Sequence, residues 1–188
     1  MADALWIDED YLMENSIINE NTDMKVLTPN IVYVQDAYIK PLIGSRLFDI
    51  IQAEITAQVY TTRVTTLLND YLKKVILNYV LSESVHDMSF RWTNKGMMQK
   101  NSDNSVPVNV EQLKSIQEKY KNRAEIFADR ATNYILANLT TYTEYYNGTV
   151  NIDTILPKGK GYTTGIYLGR GDDSGLDSDR CDYIKRNV

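Results

Sequence analysis

The chain has 188 residues, of which 43% are hydrophobic, and its 20 basic and 25 acidic side chains give a formal net charge of −5. This apolar content is enough to fill one core, and the acidic balance disfavours a protein that holds DNA or RNA by neutralising phosphates. Cys181 is the single cysteine, so an intrachain disulfide is excluded, and one histidine with one cysteine is too little for a zinc site.

The first ten residues, MADALWIDED, are acidic and lack the basic start and the apolar run of a signal peptide. No stretch approaches the roughly eighteen uninterrupted apolar residues that predict a membrane span. We therefore expect a soluble protein that is made in a cytosol and does not enter a membrane.

Three short helices are predicted in the first part of the chain, at residues 6–18, 28–40 and 46–56. Thr28 and Pro29 suit the cap and the first position of the second of them. Pro41 should end that helix near Lys40, because the residue before a proline disfavours the helical conformation.

The strongest helical signal follows. Apolar residues recur at offsets of three and four from Val64 to Val80, a pattern that no strand produces. Residues 64–88 are therefore predicted to form one long helix of roughly 35–40 Å.

A second line of apolar residues runs along the later part of this helix, on a different side of the helix axis from the first line. A helix with two apolar lines must bury two sides. Either the second line belongs to a wide intramolecular core, or it packs against a neighbouring subunit. In the second interpretation the inter-subunit residues are Leu77, Leu81, Val85, Met88 and Trp92.

Residues 93–109 are rich in Asn, Ser, Asp, Gly and Pro, and are predicted to form a loop or an extended excursion. Asn109 then caps a second long helix, whose apolar residues continue to Leu139. Two long amphipathic helices with a modest connection should pack antiparallel. The predicted fold class is mainly α: a helical bundle built on two long antiparallel helices, with short N-terminal helices and an extended Gly-rich C-terminal tail.

The helical period stops at residue 147, and seven of the nine glycines lie between Gly148 and Gly175. We therefore predict a helical domain at residues 1–147 and a docking tail at residues 148–188. Such a tail is either disordered or ordered by a partner. Its segment 163–168 favours extended chain but has no partner strand in the sequence. The residues predicted to bind a partner or a neighbouring subunit are Tyr162, Thr164, Ile166, Tyr167 and Leu168.

Residues with reactive side chains do not form a recognisable catalytic motif. His86 is the only histidine, and neither Ser82, Ser84 nor Cys181 lies in a nucleophile motif. The acidic stretch 172–179 misses the spacing of a calcium loop and lacks its closing Glu. We therefore predict a protein that is not an enzyme, with no catalytic residues, no metal and no cofactor.

The segment 28–48, TPNIVYVQDAYIKPLIGSRLF, resembles the opening helices of head-to-tail adaptor proteins of tailed bacteriophages. It is most similar to the ring protein below the portal in crAss-like phages of gut bacteria. The long helix, the loop with Lys95 and Gly96, the second long helix and the Gly-rich tail follow in the order of that family. The specific similarity covers about twenty residues, and the similarity of order covers nearly the whole chain.

This resemblance implies a structural virion protein at the head-to-tail junction, assembled in the host cytoplasm. Its members form a homo-oligomeric ring, usually of twelve copies, that joins the portal protein to further tail ring proteins and extends the channel through which DNA passes. Their C-terminal segments grip the portal. An acidic channel would repel phosphate and let DNA slide. The residues leave two alternatives open, a cellular helical scaffold or regulatory protein with a disordered tail and, third, a cell-wall hydrolase.

Overall fold

The computed structural model describes residues 4–18, 22, 24–94, 96–99, 109–146 and 154–157. In those ranges the chain is a bundle of five helices with one two-stranded hairpin, which confirms the predicted mainly α fold. The tail residues assigned to partner binding, within 162–168, lie outside the described residues.

An N-terminal arm, residues 4–8, leads into helix α1, Glu9–Asn15. Trp6 is buried and stacks on Phe48, with ring centroids 4.8 Å apart. The Trp6 backbone N–H also donates to the side-chain oxygen of Gln35 at 2.9 Å. These contacts fasten the arm to the helices that follow.

Helix α2 is continuous but changes its winding along its length. It is α-helical over Met24–Val34, π-helical over Gln35–Ile39 and α-helical again over Lys40–Ile43. The predicted start at Thr28 is wrong, because the Thr28 hydroxyl lies inside the helix and donates to the Met24 carbonyl at 2.9 Å.

The predicted stop at Lys40 is also wrong, because the π-helical turn accommodates Pro41. The ring of a proline inside a helix collides with the carbonyl oxygen four residues back. Here the Lys40 N–H bonds to the Gln35 carbonyl oxygen, five residues back. The wider turn relieves the collision, and the helix continues through the proline to Ile43.

Gly44, with φ at +82°, turns the chain into helix α3, Ser45–Ala57. Helix α4 follows after a short connection and confirms the long helix predicted over residues 64–88. It too contains a π-helical part in the middle. Its successive parts are Thr62–Thr66, Leu67–Leu72 (the π-helical part) and Lys73–Ser89.

A hairpin lies where the sequence predicted a loop or an extended excursion. Strand β1, Phe90–Thr93, pairs antiparallel with strand β2, Gly96–Gln99. Thr93 pairs with Gly96, so only two residues separate the strands. The prediction missed this pairing because strands of only four residues are too short to show a clear alternating pattern.

Helix α5, Val110–Ala137, has 28 residues, and the Asn109 backbone N–H donates to the Gln112 side chain at its start. It runs antiparallel to α4, as predicted. Near one end Tyr71 stacks on Tyr134, with ring centroids 4.3 Å apart. Further along, the Ser82 hydroxyl donates to the Gln117 carbonyl at 3.1 Å. Residue numbers that rise along α4 thus meet numbers that fall along α5.

A second tyrosine stack joins α2 to α4. Tyr38 lies on Tyr79 with ring centroids 4.3 Å apart, and its hydroxyl donates to the Glu83 carboxylate at 2.7 Å. Burial of the ring and the hydrogen bond to Glu83 raise the pKa of Tyr38 above its ordinary value. The flat ring faces therefore serve packing between helices, while the hydroxyl remains paired.

Residues 154–157 also pack on the helical domain. The Ser45 N–H donates to the Ile155 carbonyl at 2.9 Å, and the Ile155 N–H donates to the Ser45 hydroxyl at 3.0 Å. Residues 154–157, which the sequence analysis placed in the tail, therefore pack on the helical domain and belong to its compact unit. Periodicity could not reveal this, because a short extended segment that docks through its backbone has no apolar repeat.

Candidate interaction surfaces

An open groove of about 650 Å³ lies between the end of α1 and the middle parts of α4 and α5. Leu77, Leu81 and Phe127 give it an apolar lining. Two isoleucines that also line it are strongly exposed, Ile17 by 83% and Ile126 by 61%. Single exposed apolar side chains are common on protein surfaces, but two beside an apolar groove form a surface that a partner can cover.

Charged side chains line the same groove. Lys74 and Arg123 contribute two cations and Glu14 one carboxylate. The Arg123 guanidinium lies 5.6 Å from the ring centroid of Tyr120. Among the described residues, neither cation has a carboxylate oxygen within 4.0 Å. The groove therefore suits a partner that presents carboxylates next to an apolar side chain.

The residues that the sequence suggested for a contact between subunits are not equally buried. Leu77 and Leu81 are only 7% and 8% exposed and belong to the hydrophobic core, so most of their surface is covered within the chain. Val85 and Met88 are half-buried. The side chain of Trp92 lies outside the described part of the structure. What Leu77 and Leu81 still expose lines the groove.

Sequence reasoning missed the part of the groove that α1 and α5 supply. Ile126 carried a usable signal, because it falls outside the apolar line of α5 and between the charged residues Arg123, Glu125 and Asp129. Packing in the core of the chain itself does not explain an isoleucine at a solvent-facing helical position. The contribution of Ile17 had no such signal, since the position of α1 on the bundle depends on tertiary packing.

The corner between α2 and α3 forms a second, smaller surface. It holds Ile155 through the two hydrogen bonds to Ser45 and brings Pro157 against Gly44. A Cβ atom placed on Gly44 would lie 2.9 Å from Pro157 Cδ. Ile155 and Leu156 keep a large part of their side chains exposed beside this corner.

In the part of the chain that the structure describes, the reactive side chains of Ser82 and His86 do not form a catalytic arrangement. The Ser82 hydroxyl donates to the Gln117 backbone, and His86 Nε2 lies 3.2 Å from the Gln117 side-chain oxygen. Serine and histidine are thus paired to the same glutamine rather than to each other.

Two further findings concern the described residues. No group of three or more His, Cys, Asp and Glu side chains in them is placed to hold a metal ion. None of the helices in them is both long enough and apolar enough to cross a membrane.

No curated protein and no solved structure is significantly similar to this chain. Residues 39–155 match a family of unknown function, DUF6712. The matched part begins at the end of the π-helical turn of α2, includes all of α3, α4 and α5, and ends at Ile155. Since it covers more than half of the sequence, the chain belongs to the DUF6712 family.

Proposed function

We propose that this protein is a structural virion component that forms a homo-oligomeric ring between the portal and the tail of a bacteriophage and extends the DNA channel. The resemblance of segment 28–48 to head-to-tail adaptor proteins supports this proposal and implies a ring that is usually of twelve copies. The order of helices supports the same assignment, since two long antiparallel helices follow that segment.

The observation that carries the proposal is the groove with exposed Ile17 and Ile126. A ring built from identical chains needs a head-to-tail contact, in which one surface of each copy meets a different surface of the next. The occupant of the groove is therefore a second copy of this chain. Its net charge of −5 suits a groove whose two cations, Lys74 and Arg123, lack carboxylate partners among the described residues.

Ile126→Asp tests this contact. Because Ile126 is 61% exposed, the substitution should leave the domain folded, yet it places a hydrated carboxylate on the apolar surface of the groove. We expect assembly to weaken at least about tenfold, since a hot-spot residue at an interface centre contributes about 2 kcal/mol or more and a factor of ten corresponds to about 1.4 kcal/mol. The measurement is mass by light scattering, with and without the purified portal protein encoded by the same genome.

Val110→Asp is the matched control, because Val110 is an exposed apolar residue on the same helix, about 24 Å away along its axis. It should assemble as the unsubstituted chain does. Equal assembly of both variants would mean that the groove is not a subunit contact. A chain that stays monomeric with and without portal would favour the cellular scaffold.

A further inference from the structure

The start of helix α3 is capped from the far end of the domain. The first N–H groups of a helix have no partner within it, and a side chain just before the helix usually accepts from them. Gly44 occupies that position and has no side chain to offer. The Ser45 N–H donates instead to the carbonyl of Ile155, 110 residues further along the chain.

Gly44 fits this corner for two separate reasons. Its φ of +82° lies in the region that residues with a Cβ atom rarely adopt. A Cβ atom would also come within 2.9 Å of Cδ and 3.0 Å of Cγ of Pro157. Both the turn and the docking of residues 154–157 thus depend on a glycine here.

Residues 154–157 bury little apolar surface on the domain, since Ile155 and Leu156 are 39% and 59% exposed. Two hydrogen bonds with Ser45 and the approach of Pro157 to Gly44 contribute to holding the segment. Ile155 and Leu156 are absent from the hydrophobic core, which residues of the N-terminal arm, of all five helices and of the segment after α5 form without them. A segment with so little buried surface can open without unfolding the domain beneath it.

We propose that Gly44, Ser45, Ile155 and Pro157 form a releasable latch. In the closed form, Ile155 caps α3 and the chain is fixed at Pro157, directly before residues 158–188. In the open form, residues 154–157 leave the corner while the helices stay folded. Gly44, Ser45 and Ile155 all lie within the region matched by the family. The latch therefore joins residues near the start of that region to its last residue.

The latch does not rest on the proposed ring, since it concerns contacts within one chain. Its effect on a bound partner does rest on the proposed ring. When a partner binds the tail, a closed latch transmits the force on the tail to α3, whose residues Leu47, Ile51 and Ile55 lie in the core.

Amide hydrogen exchange of the full-length chain, resolved by NMR, tests the latch. The Ser45 and Ile155 amides should be protected about tenfold or more relative to unstructured chain, yet exchange faster than the core amide of Ile76. Ser45→Ala removes the hydroxyl that accepts from Ile155 and keeps the backbone of residue 45. Both latch amides should then speed up together by about five- to tenfold, with Ile76 unchanged. Ser89→Ala, which removes a hydroxyl that donates to the Val85 carbonyl within α4, should change neither.

Three results would overturn the proposal. Unprotected Ser45 and Ile155 amides in the unsubstituted chain would mean that the corner is empty in solution. Protection equal to that of Ile76 would mean that the segment leaves only on global unfolding. Acceleration of the Ile155 amide alone in Ser45→Ala would mean that the two hydrogen bonds do not open as a unit.

Discussion

Arg63 ties the segment after α5 back to the start of α4. Its guanidinium donates to the Thr141 carbonyl and to both carboxylate oxygens of Glu144, each at 3.0 Å. The Tyr142 hydroxyl donates to the Arg63 carbonyl at 2.9 Å. Arg63 therefore bonds to three residues, Thr141, Tyr142 and Glu144, of the segment that follows α5.

The ionisation of Glu144 is linked to this contact. Partial burial favours the neutral acid, but backbone and Arg63 hydrogen bonds and the guanidinium charge outweigh it and hold the pKa of Glu144 below its ordinary value of 4.5. A depressed folded pKa stabilises the fold above the ordinary value, and that contribution is lost as the pH falls through the folded pKa. The contact should therefore stabilise the domain at neutral pH and fail in acid.

Glu144→Gln should lower the free energy of unfolding by about 1–2 kcal/mol at pH 7, because a charge-assisted hydrogen bond is replaced by a neutral one. The difference from the unsubstituted chain should shrink as the pH falls below 4.5. Urea denaturation at pH 7 and at pH 3 measures both quantities.

Asp36→Asn is the control for this substitution. It removes the exposed pair between Asp36 and Lys40, whose charged atoms are 3.3 Å apart on one helix face. Such pairs contribute less than about 0.5 kcal/mol. Losses of equal size in the two variants, or a Glu144→Gln difference that persists at pH 3, would contradict the role given to Glu144.

At the scale of elements, α4 is the central helix of the bundle. It contacts α2 on one side and α5 on another, which explains its two apolar lines. Leu77 and Leu81 are therefore largely core residues, and the intramolecular interpretation of the second line holds for most of their surface. Only the edge that lines the groove remains for a subunit contact.

Leu81→Ala should lower the free energy of unfolding by about 2–4 kcal/mol, because it removes buried methyl groups and leaves a cavity. Met88→Ala should cost less, since Met88 is only half-buried near the end of the helix. Guanidinium denaturation followed by circular dichroism compares them. If Leu81→Ala unfolds at the same denaturant concentration as the unsubstituted chain, Leu81 does not belong to the core formed within one chain.

The elements that the sequence predicted well are those whose packing leaves a repeat. Helix α5 buries one face along its length and α4 buries two, so their apolar residues recur at helical spacing. Continuity of α2 through Pro41 was not predictable, because it depends on a change of winding at Gln35–Ile39 that local preference does not encode. The groove was half predictable: Leu77 and Leu81 follow the repeat, while Ile17 reaches it only through the packing of α1.

At the scale of the whole molecule, a short segment before the helices and another after them pack on the bundle. Trp6 anchors the N-terminal arm between Phe48 and Gln35. Ile155 anchors the segment after α5 at the α2–α3 corner. The helical domain is therefore longer at its C-terminal side than helical periodicity indicates, and a truncation shows where it ends.

Two truncations separate the latch from the tail. Removal of residues 160–188 leaves Ser45, Ile155 and Pro157 in place, so the melting temperature of the domain should stay the same. Removal of residues 147–188 takes the latch away as well and leaves the start of α3 uncapped. That variant should lose about 1–2 kcal/mol, in line with a lost helix cap and a second hydrogen bond.

Portal binding should respond differently from stability. If residues 163–168 add as a strand to an exposed sheet edge of the portal or a neighbouring subunit, both truncations should abolish association. Ile166→Pro in the full-length chain should do the same, since it removes a backbone donor and an apolar anchor together. Lys160→Ala, a change outside that segment, is the control and should bind normally. Co-sedimentation with purified portal, read beside the melting temperature of each variant, distinguishes lost binding from lost folding. Full-affinity binding by the chain that lacks residues 160–188 would show that the helical domain carries the portal contact alone.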